Sequence, residues 1–395
     1  MKEIKLIIKK EFKDKYFRGY PLIMKEAILN PQDIKEGKTA ILFDQSNRFI
    51  GRGYLGNQNK GCGWILTRGK KGLIDYKLFY NKIRNALEKR RTFYFSKDTT
   101  AFRVFNGEGD GIGGLIIDYF NGYYLINWYS EGIYSFKDSI LKSLTTLVPY
   151  KGIYQKKRFD FGGKYIEEDS FIMGRKAPNP LIIKENEINY AIYLNEGAMV
   201  GIFLDQKNVR KALRYNYCKN KSVLNTFSYT GAFSVAAALG EASKTTSVDL
   251  ASRSLNKTIE NFTINNIDYT KHDIVVKDIF DYFTESKRNN TKFDVIILDP
   301  PSFATSKKSK FSAESNYTNL LKQAIEITNQ NGLIVASTNC SSFNMKKFKG
   351  FIEKAFNSLN RKYKIIEEYR LPHDFAVIDE FPEGNYLKVV FIRLV

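Results

Sequence analysis

The chain is poor in the residues from which many proteins build a covalent or metal scaffold. Three cysteines, Cys62, Cys218 and Cys340, stand far apart among 395 residues, with two histidines and two tryptophans. So few, scattered and odd-numbered thiols exclude a disulfide framework and a paired-cysteine metal site, and no metal is expected. No apolar run approaches the ~18 residues of a membrane span, and Lys9 and Lys10 break the short N-terminal one. These absences lead to the expectation of a reducing cytoplasm and no membrane partner. Acidic residues are also scarce: 42 of them face 62 lysines and arginines, leaving a formal net charge of +20.

What is present is enough for a globular protein. A hydrophobic fraction of 43% with 14% aromatic residues can fill real cores, and the length predicts two or three domains. The positive excess points to a polyanion, because neutralised phosphates release counterions and give affinity without sequence reading. It is also segregated. Residues 1–70 carry 15 basic and 7 acidic side chains and residues 71–100 carry 8 and 3, whereas residues 101–190 are balanced at 11 and 11. Lysines that merely solvate a surface would not collect at one end of the chain.

Three regions follow from the pattern. Residues 1–72 read as short strands, Lys5–Ile8, Ala40–Phe43, Phe49–Tyr54 and Trp64–Thr67, parted by turn residues. Their segments around Gly19-Tyr20-Pro21-Leu22 and Asp44–Gly53 resemble a PUA domain, an RNA-binding β-barrel. Residues 73–184 open with a basic amphipathic helix near 75–92 that sets Leu78, Phe79, Ile83 and Leu87 apart from Lys82, Lys89, Arg90 and Arg91. A mixed α+β middle domain follows, with alternating runs up to KYIEEDSFIM (164–173). Its GEGDGIGG segment has the look of a dinucleotide fingerprint, yet it leads into a strand and not a helix, which argues against a phosphate cradle. Residues 185–395 alternate strands with helices, the mark of a doubly wound parallel sheet. Strands are predicted at Ser222–Thr226, Thr245–Asp249, Asp273–Val276, Phe293–Leu298 and Gly332–Ser337. The late β pair, Tyr363–Tyr369 and Tyr386–Leu394, fits a class I methyltransferase better than a dehydrogenase.

Chemistry concentrates at the strand ends. The turn Phe227-Ser228-Tyr229-Thr230-Gly231 joins a buried strand to a helix and presents backbone N–H groups to a ligand. With a single glycine it lacks the dinucleotide fingerprint, which counts against a NAD-dependent oxidoreductase. Asp249 closes the next strand, where a carboxylate can accept from ribose hydroxyls, and Asp278 follows the third; both positions also suit a helix cap. The fourth strand exits through Leu298-Asp299-Pro300-Pro301-Ser302-Phe303, whose prolines stiffen the carboxyl edge where open α/β folds bind ligands.

These segments, with RVFNGEGDGIGGLIIDYF (103–120), GIFLDQKNVR (201–210), LNTFSYTGAFS (224–234) and PEGNYLK (382–388), resemble bacterial 23S ribosomal RNA base methyltransferases. The likeness is greatest to a subgroup typical of Gram-positive bacteria. It implies an α/β, class I Rossmann-like domain behind the PUA-like barrel and middle domain, S-adenosylmethionine (SAM) as cofactor, and 23S rRNA or a large-subunit precursor as partner. It is also compatible with a homodimer. By that resemblance Phe227–Gly231 hold the methionine part of SAM, Asp249 the ribose and Asp278 the adenine, while Asp299 and Pro300 form the methyl-transfer edge. Asp205, Gln206 and Arg210 close over cofactor and substrate, or serve structure alone. Lys82, Lys89, Arg90 and Arg91 are expected to grip RNA.

Two chemistries remain open. Methylation of cytosine C5 needs a thiolate that attacks C6 first. Aligned from Gly332, the expected cysteine position falls on Asn339, with Cys340 one residue late. Gly197-Ala198-Met199-Val200 and Leu371-Pro372-His373 also depart from the cytosine enzymes. Guanine N7 has an exposed lone pair and needs only positioning and desolvation. It is therefore favoured over cytosine C5 through Cys340, and a non-catalytic RNA-binding assembly factor is the third reading. Tyr317, Phe303 and Phe343 are candidates to stack a flipped base or to plug the core. His272 and His373 are expected to be solvated or accessory.

Overall fold

The computed structural model describes residues 3–31, 36–58, 61–159, 170–197, 199–305 and 310–395. The first six residues of the expected 164–173 run, and Ala198, lie outside this set. Two compact units divide the chain: residues 1–181, 193–200 and 373–384 make one, and residues 182–192, 201–372 and 385–395 the other.

The first unit begins with a four-stranded sheet, β1 (Ile4–Ile8), β2 (Thr39–Asp44), β3 (Phe49–Gln58) and β4 (Gly61–Thr67), in that spatial order. β1 and β2 run parallel and the other neighbours antiparallel. β2 alternates intermediate and buried positions, the period-2 signature of a sheet with one face on the core. The basic helix forms at Tyr76–Lys89; the Asp75 side chain caps it by accepting from the Leu78 N–H at 3.0 Å, and Phe79, Ile83 and Ala86 are its buried face. A five-stranded sheet follows in sequence order, β5 (Ala101–Asn106), β6 (Leu115–Phe120), β7 (Tyr123–Trp128), β8 (Gly152–Lys157) and β9 (Phe171–Gly174). One apolar core runs through all of these parts, from Leu6 and Trp64 through Phe79 to Phe105, Ile126 and Ile153. The division expected at 72/73 therefore falls inside a continuously packed unit. The division expected at 184/185 lies close to the change of unit after residue 181.

GEGDGIGG is a structural device here. Residues Gly107–Asp110 form a single 3-10 turn between β5 and β6, and a Cβ on Gly109 would sit 1.8 Å from the Ala376 carbonyl oxygen. Only glycine lets the returning segment 373–384 approach so closely. Arg103 fastens that segment: its backbone N–H donates to Asp374 at 2.9 Å and its guanidinium lies 4.1 Å from the Phe375 ring.

The second unit holds the hairpin β10 (Leu181–Glu185) and β11 (Ile188–Ile192), followed by the main sheet. That sheet consists of β12 (Ser222–Thr226), β13 (Lys244–Asp249), β14 (Asp273–Val276), β15 (Phe293–Leu298), β18 (Thr328–Thr338), β19 (Tyr363–Tyr369) and β20 (Lys388–Leu394). The intervening short pair is β16 (Phe303–Thr305) and β17 (Lys310–Ser312). The order is β14-β13-β12-β15-β18-β20-β19, with five parallel strands and an antiparallel terminal pair. β12 and β15 are buried along nearly their whole length, and Val295–Leu298 of β15 is the apolar run expected of a strand covered on both faces. The order reverses at β12, and open α/β folds bind ligands at the carboxyl edge of such a switch point, here the ends of β12 and β15.

Candidate functional site

At that edge β12 ends in a strained turn. Phe227 and Tyr229 both adopt φ = +53° and Gly231 adopts φ = +73°, so two of the three left-handed positions carry a side chain that disfavours them. The surroundings hold the turn in place. The Ser228 N–H donates to the Val248 carbonyl at 3.0 Å and the Tyr229 N–H to Asp249 Oδ2 at 2.8 Å. Thr230 Oγ1 donates to the Gly201 carbonyl at 2.7 Å, and Asn261 Nδ2 to the Thr230 carbonyl at 2.9 Å. A Cβ on Gly231 would lie 2.5 Å from Thr258 Cγ2, so the turn rests directly on the helix Arg253–Thr263.

The two expected ligand carboxylates stand at the ends of their strands. Asp249 ends β13, its Oδ1 accepting from the Ala251 N–H at 2.9 Å, and exposed Leu250 follows it. Asp278 follows β14 and also serves as a helix cap, accepting from the Phe280 N–H at 2.9 Å.

A second group gathers around Asp299. Gln206 is buried; its Nε2 donates to Asp299 Oδ1 at 3.1 Å and to Ser337 Oγ at 2.8 Å. Its Oε1 has no hydrogen-bond partner among the described residues. Burial raises the Asp299 pKa to about 6, against the lowering effect of the Ser337 hydroxyl and with further raising by Asp205. Asp205 accepts from Tyr386 Oη at 2.8 Å. Asp205, Gln206, Asp299, Ser337 and Tyr386 thus form one belt across four separate chain segments. Ser337 and Tyr386 are the members that sequence reasoning missed. Tyr386 lies in the PEGNYLK segment, so a signal existed; Ser337, a small polar residue inside a buried strand, gave none.

Of the two roles open to Arg210, its surroundings support the structural one. It is 2% exposed, and Nε and one terminal nitrogen clamp Glu185 at 2.7 Å each, while the Phe203 carbonyl accepts a third bond at 2.7 Å. Burial alone would lower its pKa; the Glu185 carboxylate outweighs this and raises it. Arg210 thereby ties the Phe203 end of the loop that carries Asp205 and Gln206 to Glu185 of β10.

The loop after β18 presents Asn339 to solvent, where its Oδ1 accepts from Ser302 Oγ at 2.6 Å. Cys340 turns inward: it is 4% exposed, belongs to the apolar core of this unit, and its sulfur lies 3.2 Å from Ser342 Oγ. Of the three aromatic candidates, Tyr317 is fully buried, with Oη donating to the Ser337 carbonyl at 2.8 Å, and Phe343 is also core. Phe303 is 73% exposed. His272 is structural: it stacks on Phe262 and its Nδ1 accepts from the Thr245 N–H at 3.1 Å, while burial lowers its pKa. His373, exposed, opens the segment counted with the first unit.

The expected RNA-gripping residues separate in the first unit. Arg90 is 1% exposed, paired with both Asp110 oxygens at 2.8 and 2.7 Å and bonded to the Asp374 carbonyl, so its guanidinium is internal and the expectation for it is corrected. Lys82 is partly buried, which lowers its pKa. Lys89 reaches Asp110 at 3.2 Å with much of its side chain exposed, and Arg91 is exposed beside Glu88. Helical spacing marked these side chains as polar but did not distinguish a cation facing water from one facing a buried carboxylate.

The profile of the S-adenosylmethionine-dependent methyltransferase family matches residues 103–385, and that of the PUA-like domain matches residues 6–68. The chain belongs to the S-adenosylmethionine-dependent methyltransferases. Among its relatives is YwbD of Bacillus subtilis, provisionally named a ribosomal RNA large subunit methyltransferase, 57% identical over 98% of this chain and 99% of that protein. Ribosomal RNA large subunit methyltransferase I of Escherichia coli is 28% identical over 98% of each chain. The crystal structure of SMU.776, provisionally termed a methyltransferase and complexed with SAH, matches with a TM-score of 0.92 at 39% identity, covering 99% of this chain and all of that one. A Streptococcus mutans structure with the provisional name of a SAM-dependent methyltransferase gives 0.91 at 38% identity, covering 99% of this chain and 100% of that one.

SAM is the cofactor of this methyltransferase, and the residues present suit it. The orphaned Gln206 Oε1 is a buried acceptor in need of a donor such as an ammonium or hydroxyl. Asp249 offers carboxylate acceptors at a strand end, and the strained turn 227–231 is the kind of over-determined backbone found at ligand clamps.

Proposed function

We propose that this methyltransferase modifies a base of large-subunit (23S) ribosomal RNA, and that the acceptor is guanine N7. The ribosomal RNA substrate is supported by the names of the relatives and by the PUA-like domain in a basic N-terminal region. The guanine reading rests on one observation above the others: Cys340 is packed in the core, and the residue presented at the transfer loop is Asn339. A cytosine route needs an accessible thiolate next to the base. The cofactor supplies an electrophilic methyl group, which guanine N7 can accept through its lone pair with no prior loss of a proton.

On this reading Phe227–Gly231 and Asp249 hold the cofactor, with Asp278 beside the adenine, and Gln206 aligns the Asp299 carboxylate. Methylation at N7 leaves the ring positively charged. An ionised Asp299, partly withdrawn from water, stabilises that charge more than it would in bulk solvent. Exposed Phe303 at the same edge gives the flipped base a face to stack on.

Nucleoside mass spectrometry of 23S rRNA from cells with and without the gene tests the reading. Loss of one 7-methylguanosine is expected. Loss of a 5-methylcytidine instead selects the cytosine route, and an unchanged inventory rejects the enzyme assignment for this RNA and leaves the assembly-factor reading.

A further inference from the structure

The pairing of β18, β20 and β19 brings three positions abreast at one end of the main sheet. Lys388 opposes Thr338, and Tyr369 opposes Val389. Arg370 directly follows Tyr369, one position past the last paired residues, and its charge acts on Lys388. Two cations therefore lie near each other at the ends of neighbouring strands, where like charges repel. The end of the sheet concerned is the one at which β18 delivers Asn339 and Cys340.

Lys388 is 1% exposed, and among the described residues no carboxylate pairs with it. Its Nζ donates to the Tyr386 carbonyl at 2.6 Å and lies 5.3 Å from the Phe343 ring centre. Burial and the Arg370 charge lower its pKa to about 8, with the Cys340 thiol acting in the opposite direction. Arg370 is exposed, and the acid facing it is Glu368, which is itself paired with Lys349 at 2.5 Å. A buried charge is ordinarily neutralised by a partner. Here a buried ammonium is left with one carbonyl, one ring and a second cation, an arrangement that an incoming anion would relieve.

We propose that Arg370 and Lys388 form an anion seat for a phosphodiester of the RNA substrate beside the target nucleotide. The exposed guanidinium supplies the planar fork suited to phosphate, and the buried ammonium near it supplies a charge that water screens little. The inference rests on the RNA-methylating reading above, and its test separates the two.

The full-length protein is assayed with 23S rRNA from cells lacking the gene. Arg370→Gln and Lys388→Met are each expected to raise the KM for rRNA by about tenfold and to reduce the log–log salt slope of RNA binding by about 1. SAM affinity and the rate at saturating RNA should stay within about twofold, and Arg370→Lys should recover part of the loss. Lys388→Met removes an unpaired buried cation, so its Tm at pH 7 should equal or exceed that of the parent. A fall in Tm with an unchanged salt slope would identify Lys388 as a structural cap on the Tyr386 carbonyl and overturn the proposal. So would an unchanged KM and slope in both variants. If the parent protein binds rRNA but transfers no methyl group, the functional reading fails while the seat is still judged on the salt slope of fluorescence-anisotropy binding.

Discussion

Asp299 carries the sharpest expectation attached to a single side chain. Its pKa, raised by burial to about 6, means that the folded protein binds a proton there over a range in which the unfolded chain has released it. Asp299 therefore costs stability as pH rises through about 4 to 6, and above that range the cost is complete. Asp299→Asn should raise Tm at pH 7.5 while lowering the methyl-transfer rate by at least about 100-fold, the scale of losing one charge-stabilising group in a crevice. In the parent enzyme the rate should fall as pH drops through about 6. A rate flat from pH 5 to 8 would remove Asp299 from the reaction. Cys340→Ala is the opposite case: a core substitution costing about 1 kcal/mol or somewhat more in denaturant titration, with transfer to rRNA retained. Abolished transfer by a folded Cys340→Ala protein would restore the cytosine route.

Two turns illustrate how an element can be committed to one conformation by its neighbours. The Phe227–Gly231 turn keeps three left-handed residues while β13 and the helix beneath it bond to its backbone and the Thr230 hydroxyl bonds to the Gly201 carbonyl. Gly231→Ala meets both the φ penalty and Thr258, and should cost about 1–3 kcal/mol together with a loss of SAM affinity measurable by calorimetry. The GEGDG turn of the first unit is pH-sensitive instead. Burial raises the Glu108 pKa to about 7, well above its ordinary value near 4.5. The folded state again holds the proton longer, so this turn loses stability as pH rises through about 4.5 to 7. Glu108→Gln should raise Tm at pH 8 and flatten the dependence of Tm on pH over that interval. The glycines of both turns were legible as turn signals. That one rests on a helix and the other admits a returning segment depended on what lies opposite each Cα.

At the scale of the whole chain, the positive excess of the first hundred residues is divided between water and the interior. Arg90 is spent on Asp110, and removing it should destabilise the protein by about 3–5 kcal/mol, as breaking a buried pair does. Lys77, Arg84 and Arg91 on the same helix region remain exposed. Replacing these three with Gln should weaken rRNA binding, lower its salt slope and leave SAM affinity unchanged. A salt slope equal to that of the parent would mean that RNA is gripped elsewhere. The chain also departs from a simple succession of domains, since residues 373–384 leave the main sheet between β19 and β20 and count with the first unit. No local signal announced this, because the segment's partners are more than 250 residues away in sequence, as Asn106 and Ala376 are.

The sequence by itself determined the class of fold and the positions of the strand-end motifs. Buried strands, helical periodicity, turn residues and Asp-Pro-Pro are local patterns dictated by period and backbone sterics, and the strands predicted at Ser222–Thr226, Asp273–Val276 and Phe293–Leu298 form at those bounds. Tertiary structure alone decided which polar side chains are available. Burial and pairing depend on residues distant along the chain. They turned Arg90 and Arg210 into internal braces, withdrew Cys340 into the core, joined Gln206 to Asp299, and left Lys388 buried near a second cation at the end of the antiparallel pair.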